Sequence, residues 1–368
     1  MSEQSVRVPV KKLVDFMETA LEAMGVPAED ARIIADVLIT SDLWGIASHG
    51  VAHLKMYHER IKAGLQLPVT SWSVVKDTPT TAIVDGGNGM GMVVGYHAMK
   101  IAIQKAREYG LGAVAVRNSS HYGVAGYYSL MAANDSMVGI SMTNAHPSIA
   151  PTFGVMPLMG TNPIAVAVPT DEPFHFCFDA ATAVVTRGKI EVAARAGKPI
   201  PAGWVISQDG TPVTDTSTLI EEMNKDKAAL MPIGGMGEMM GGHKGYGLAT
   251  MVEIFSAAFQ NGAYLSMLHD MDAQGNPHFL CIGHFFMAFD VEHFLPLADF
   301  IKITGDMMRE LRGSQVAPGQ ERIYTAGEKE FCNSQYVQAN GVEITPGVQK
   351  ALNKLVQELS LPNHDLGF

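Results

Sequence analysis

The chain has 368 residues, 47 % of them hydrophobic and only 17 % charged, with a formal net charge of −11. That length predicts two domains, or one large domain with an appended part, and so low a charged fraction predicts apolar surface covered by another copy of the chain, a homo-oligomer. An acidic balance with no Lys/Arg cluster excludes a nucleic-acid face, the lack of an 18-residue apolar run excludes a membrane span, and the Met1–Ser5 start has no signal pattern, so the cytoplasm is the expected location.

From Val8 to Met24, apolar Leu13, Phe16, Met17, Ala20, Leu21 and Met24 recur at intervals of three and four, which predicts an amphipathic helix stopped by Gly25-Val26-Pro27. Pro27, with Glu29 and Asp30 behind it, opens a second helix with Ile34, Val37 and Leu38 on one face. A third is expected to start at Ser48 as N-cap, with Leu54, Tyr57 and Ile61 buried and Gly64 as its stop. The pattern then changes. Thr81–Asp85 reads as a strand, about 93–108 as a helix, and the runs 113–116, 138–142, 164–168 and 174–178 as short strands between Gly, Pro and Asn. A helix over 246–260 and the run Phe279–Phe289 continue this sheet domain, and Val291–Arg312 and Gly347–Leu359 are helical again. Residues 1–75 and 291–368 therefore form two helical parts expected to pack together, because chain ends often lie close, around a sheet domain over 76–290.

Cys177, Cys281 and Cys332 are far apart and form no CxxC pair, so neither a disulfide framework nor a thiolate metal site is indicated. Chemistry is sought instead at three histidines flanked by glycine: Ser48-His49-Gly50, Ser119-Ser120-His121-Tyr122-Gly123 and Gly242-His243-Lys244-Gly245. Imidazole exchanges protons near neutral pH, and glycine allows the sharp bends that expose it. His49 and His53, four apart, are also spaced to bind a metal on one helix face, although the glutamate of the zincin pattern is replaced by Gly50.

Other segments offer ligand contacts or ordinary turns. Gly89-Met90-Gly91-Met92-Val93-Val94-Gly95 imitates a dinucleotide-binding turn, but its last spacing is too long and the next strand ends at Arg117-Asn118 without an acid for a ribose hydroxyl. Gly234 to Gly247, with Lys244, is either a phosphate-contacting loop leading into a helix or a flexible lid. Asp179-Ala180-Ala181-Thr182-Ala183 ends an apolar strand, where α/β proteins place ligands or simply cap the strand. Gly160-Thr161-Asn162-Pro163 is a turn able to present Asn162 to a ligand amide. Arg187, Lys189 and Lys198 are candidates for a 2′-phosphate or for a solvated loop.

Taken in order, these segments resemble the malate/L-lactate dehydrogenase family of NAD(P)-dependent oxidoreductases, whose relatives include sulfolactate, ureidoglycolate and 2,3-diketogulonate enzymes. The matching residues are Asp42 with Gly45, Ser48-His49-Gly50-Val51, Leu54, Tyr57 and Arg60; Asp85-Gly86 with Asn88-Gly89; Asn118 to Gly123; and Gly126-Tyr127-Tyr128. They continue with Gly160 to Pro163, Asp179 with Thr182, Gly188-Lys189, Gly242 to Leu248 and Pro318-Gly319, so that the likeness runs from about residue 8 to 360.

The resemblance implies an α/β (α+β) subunit: a mixed-sheet, non-Rossmann NAD(P)-binding domain plus a helical domain built from both termini. It also implies a homodimer with active sites near the subunit boundary, and a structural role for the Gly89–Gly95 turn. The implied reaction is hydride transfer between NAD or NADP and a small 2-hydroxy acid or 2-oxo acid. Reduction of a cyclic imino acid or keto-sugar acid is the alternative within that chemistry, and a metal-dependent hydrolase using His49 and His53 the alternative outside it. Cofactor contacts are expected at Phe178, Asp179, Ala180, Ala181, Thr182, Ala183, His243, Lys244, Pro318, Gly319 and Gln320. His49 or His121 is expected to transfer the proton with Ser48 beside it, and His53, Ser120, Tyr57, Thr161 and Asn162 to meet the substrate. Two positions depart from the family: Trp44 and His53 stand where arginines are common. The second arginine would hold a substrate carboxylate in a bidentate pair, which a histidine at 53 does not reproduce.

Overall fold

The computed structural model describes residues 4–272, 274–362 and 366–368; Met1–Glu3, part of the start read above, lie outside them. A short strand β1 (Val6–Val8) precedes α1 (Val10–Ala23) and α2 (Ala28–Leu43), and a 3-10 turn (Val51–His53) leads into α3 (Leu54–Lys62). The expected third helix thus begins later than proposed, and Ser48 is not its cap: the carboxylate of Asp42, at the end of α2, accepts from Val51 N instead. Strands β2 (Ser73–Asp77) and β3 (Thr81–Asp85), helix α4 (Gly91–Tyr109) and strand β4 (Leu111–Ser119) follow, then α5 (Ala125–Asn134), β5 (Met137–Thr143), β6 (Ile164–Val168) and β7 (Phe176–Ala180).

A smaller unit follows, with α6 (Arg187–Arg195), β8 (Val205–Ser207), β9 (Pro212–Val213), α7 (Leu219–Asn224) and β10 (Ala228–Leu230). The chain ends with α8 (Gly242–Ala257), β11 (Ile282–Asp290), α9 (Leu297–Gly313), α10 (Glu328–Asn340), β12 (Val342–Ile344) and α11 (Pro346–Leu359). Several boundaries differ from expectation: β4 runs over Leu111–Ser119 rather than 113–116, and β11 begins at Ile282 rather than Phe279. Helix α8 starts at Gly242 rather than Tyr246, and Val291–Arg312 is split where Pro296 caps α9. Strand β7 starts at Phe176 because the Thr170 hydroxyl donates to Phe174 O and holds that residue in a turn.

The main sheet has seven strands in the order β2-β3-β4-β11-β5-β6-β7, parallel only between β3 and β4, which α4 connects. Alternation of small and branched residues lets the central strands bury both faces, while the edge strand β2 is exposed throughout. On one side Val84, Val114, Val116 and Phe286 pack under α4 and α5; on the other Ala115, Met142 and Phe285 meet Val252 of α8. A two-stranded pair, β1 with β12, ties the N-terminal segment to the C-terminal one, and Leu352 and Leu355 of α11 share a core with Leu13, Phe16 and Leu38. Each large apolar side chain buried there contributes about 1.5–3 kcal/mol. Helix α9 lies elsewhere, with Arg309 paired to Asp171 and Glu172 after β6.

The Gly89–Gly95 turn fits tightly into its own chain. A Cβ on Gly91 would sit 2.1 Å from Ser120 O, so glycine there lets α4 start against the segment that carries His121. Ser120 completes the joint: its hydroxyl accepts from Gly91 N (2.9 Å) and Gln66 Nε2 (3.0 Å) and donates to Gly89 O (2.8 Å).

Candidate active site

Two bends bring the site together. The first follows α2, where Ile46 N donates to Ser41 O and the Ser41 hydroxyl donates back to Ile46 O, knotting the chain before Ser48-His49-Gly50. Asp42 then pins the far side of the bend, its Oδ2 accepting from Val51 N at 2.8 Å. Gly50 is required for that approach, because a Cβ there would lie 1.9 Å from Asp42 Oδ1. Burial pushes the Asp42 carboxyl up to about 7, with the Val51 N–H opposing the rise.

The second bend is at the end of β4, beyond Ser119, where His121 turns back over α3. Three imidazoles meet there: the ring centroids lie 5.5 Å apart for His49 and His53, 5.5 Å for His49 and His121, and 5.0 Å for His53 and His121. The Tyr57 hydroxyl, one helical turn after His53, is 2.8 Å from His121 Nδ1, and the Ser48 hydroxyl is 2.9 Å from His49 Nδ1. Burial drives all three imidazoles towards the uncharged form. His53 is lowered to about 4 by burial and then by the His49 charge, and His121 falls well below its ordinary value through burial and the fields of His53, His49, His284 and Arg60. Burial likewise holds the Tyr57 hydroxyl in its protonated form. Such a cluster can present uncharged nitrogens to a substrate oxygen and can take and return a proton.

Beneath it lies a buried polar layer. His284 bridges Thr143 (Nδ1 to Oγ1, 2.8 Å) and Ser119 (Nε2 to Oγ, 2.8 Å), stacks on Tyr122 at 4.5 Å, and is lowered by burial to about 3. It supports the β4 end from which His121 projects.

Thr161, Asn162 and Thr182 also come together. Thr182 donates through both N and Oγ1 to Thr161 O, at 2.8 and 3.0 Å. Asn162 Nδ2 donates to Glu253 Oε2 (2.7 Å) and Ala249 O (3.1 Å) on α8, while its buried Oδ1 has no partner in the described chain. Asp179, raised to about 6 by burial, accepts from Gly126 N at 2.7 Å near the start of α5. With Phe178 it lines a cleft of about 410 Å³ shared with Trp44, Phe174, Tyr324 and Phe331. His243 and Lys244 are exposed in the first turn of α8, and Pro318, Gly319 and Gln320 are exposed between α9 and α10.

The donor set suits a nicotinamide dinucleotide. An orphaned buried acceptor on Asn162 matches a carboxamide N–H, and a helix N-terminus beside a lysine matches a diphosphate. Of the expected substrate-side residues, His49, His53, Tyr57 and His121 converge; the Ser120 hydroxyl is saturated by the Gly89–Gly91 turn and has no hydrogen-bonding capacity left for a ligand. Asp42 and Glu253 had no assigned role in the sequence. Each is an isolated acid on a largely apolar helical run, and that was the available signal. His49 and His53 stack at an interplanar angle of 16°, which does not aim their nitrogens at a common ion. Among the described residues no group of three or more His, Cys, Asp or Glu is arranged to hold a metal, so the hydrolase alternative has no support.

The model of the malate/L-lactate dehydrogenase family matches residues 8–353, and the chain belongs to that family. It is an NAD(P)-dependent oxidoreductase acting on the CH–OH group of a 2-hydroxy acid. It is 43 % identical over 362 residues to a malate dehydrogenase of Pyrococcus horikoshii, covering 98 % of both chains. To an L-sulfolactate dehydrogenase of Methanocaldococcus jannaschii it is 38 % identical, over 94 % of this chain and 95 % of the other. The crystal structure of a malate dehydrogenase from Entamoeba histolytica superposes with a TM-score of 0.94 at 40 % identity, covering 98 % of this chain and 99 % of that one. Among the described residues no helix is long and apolar enough to cross a membrane.

Proposed function

We propose that the chain catalyses the reversible oxidation of a small 2-hydroxy acid of the malate type, with His121 moving the proton. The observation that carries this reading is the Tyr57 hydroxyl 2.8 Å from His121 Nδ1. Proton transfer uses the tautomer whose Nδ1–H donates to the phenol oxygen, so that Nε2 has its lone pair for the substrate hydroxyl and the Gly123 N–H, 3.4 Å from Nδ1, makes no hydrogen bond to it. The ring is uncharged at neutral pH, so it accepts the hydroxyl proton during oxidation and returns it during reduction. His49, oriented by Ser48, and His53 supply uncharged hydrogen bonds to the substrate oxygens.

The cofactor, NAD or NADP, would be held by Phe178 to Ala183, by His243 and Lys244 at the start of α8, and by Pro318-Gly319-Gln320, with Thr161 and Asn162 at its carboxamide. The bound nicotinamide supplies the hydride acceptor or donor. The division into a helical part over 1–75 and 291–368 and a sheet domain over 76–290 belongs to the same proposal. So does a homodimer: Ile254, Phe259, Tyr264, Met267 and Met271 are apolar and more than half exposed, which supports a second copy covering them. The unpaired cysteines Cys177, Cys281 and Cys332 suit the reducing cytoplasm.

The test is absorbance at the reduced-nicotinamide band while oxaloacetate, pyruvate, a sulfonated 2-oxo acid and a cyclic imino acid are offered with either cofactor. Oxidation of the nicotinamide with a 2-oxo acid is expected. Turnover of the cyclic imine alone, or of none of them, overturns the proposal.

A further inference from the structure

A substrate acid at the histidine cluster needs a counter-charge. His53 does not provide it, being uncharged at neutral pH. Lys55 is two residues from both His53 and Tyr57 and so faces away from them on the helix. Arg60 is differently placed. It follows His53 by seven residues and Tyr57 by three, so the three side chains share a face of α3, and helical side chains lean towards the N-terminus, here towards the imidazole cluster. Its positive charge reaches both Tyr57 and His121, favouring the deprotonated form of each.

The guanidinium is also weakly committed. Its side chain is 19 % exposed, and among the described residues its polar contact is Nη2 to Asp270 Oδ1 at 3.4 Å, with that carboxylate half exposed. A charge-assisted pair normally closes to about 2.7–2.9 Å. A partly shielded arginine held at arm's length by a solvated acid from a distant loop is an exchangeable pair: a better-placed anion takes the guanidinium and Asp270 returns to water.

Resting on the 2-hydroxy acid reading above, we propose that Arg60 is a specificity-determining anion anchor. It binds a second anionic group, carboxylate or sulfonate, at the end of the substrate away from the reacting carbon, in exchange for Asp270. The distal end is favoured because seven residues of helix separate Arg60 from His53 by about 10 Å along the axis, which even the backward lean of an arginine only partly recovers. The site thus prefers 2-oxo acids with two anionic groups over those with one.

The experiment compares oxaloacetate with pyruvate in the unmodified chain and in Arg60→Gln, Arg60→Lys and Asp270→Asn. In Arg60→Gln the ratio of kcat/KM for oxaloacetate to that for pyruvate should fall about 10- to 100-fold, carried by KM for oxaloacetate, with Arg60→Lys recovering part of it. Asp270→Asn should move the other way, raising kcat/KM for oxaloacetate severalfold, because a competitor for the guanidinium is gone. A merely structural Arg60 would lower both substrates equally, and loss of its partner would not improve either; those results overturn the proposal. If Arg60→Gln does not fold, a fall or no change in kcat/KM with Asp270→Asn overturns it independently. An unmodified chain that turns over no 2-oxo acid refutes the underlying reading instead.

Discussion

Asp42→Asn isolates the acid that holds the His49 bend. The substitution keeps an oxygen able to accept from Val51 N, now at 2.8 Å from Asp42 Oδ2, but removes the titrating proton. The carboxyl titrates ordinarily at 3.8 and here at about 7, because burial penalises its charged form. The folded chain therefore holds a proton that the unfolded chain releases, so this group's contribution to stability is full below pH 3.8 and is lost as pH rises through about 7. A tenfold change in proton affinity is worth about 1.36 kcal/mol, which makes the whole effect roughly 4 kcal/mol, of which about 2 falls between pH 5.5 and 8. His53 at about 4 and His284 at about 3 give the opposite slope, but both proteins share them and they cancel in the difference. Thermal or urea unfolding of the two proteins side by side should show Asp42→Asn gaining about 2 kcal/mol relative to the unmodified chain from pH 5.5 to 8. A constant gap over that range would refute the buried, neutral Asp42.

Gly50→Ala places a Cβ 1.9 Å from Asp42 Oδ1, so the bend must shift; turnover should fall about 10- to 100-fold with a stability loss of about 1–3 kcal/mol, read by steady-state kinetics and unfolding. Tyr57→Phe removes the group that orients His121, and kcat should drop about tenfold or more while KM stays near its original value. Asn162→Ala strips two hydrogen bonds from α8 and leaves Glu253 short of a donor, at a cost of about 1–3 kcal/mol, measurable as a lower Tm without cofactor present. The acid limb of the oxidation rate should lie below pH 6.5, since His121 is lowered from that value; a limb at or above 6.5 contradicts the burial of this ring.

Elements whose pattern is local were legible in the sequence. Thr81–Asp85 and Ile164–Val168 form strands with the bounds their alternation and flanking glycines and prolines predicted. Helix α5 was not seen, because its run of Ala, Gly and Tyr is buried on most sides and has no apolar stripe to read. Helix α10 was missed for the opposite reason: it buries little beyond Glu328. The third helix starts later than its sequence suggests because Asp42, nine residues upstream on another helix, takes the Val51 N–H where residues 51–53 form a 3-10 turn, a tertiary contact that outweighs the local signal of Ser48. Helix α8 began early for a similar reason: glycines at 242 and 245 let its first turn pack against residues 233–237, overriding their low helix propensity.

The site divides the same way. His49 and His121 were visible as glycine-flanked imidazoles, but what distinguishes them, Tyr57 on one and Ser48 on the other, depends on α3 crossing the end of β4. Ser120 carried the same local signature as its neighbour and proved to be a joint between α4 and β4. Arg60 has no task legible in the sequence, since the loop bearing Asp270 lies 210 residues away.

The central claim is that His121, held by Tyr57, moves the proton. It is tested most directly by single-turnover oxidation of malate with His121→Asn and His49→Asn under conditions where chemistry limits the rate. His121→Asn should lose about 10²–10⁴ in rate with cofactor binding retained, and His49→Asn should lose less. Near-normal turnover in His121→Asn, or the larger loss in His49→Asn, would contradict it.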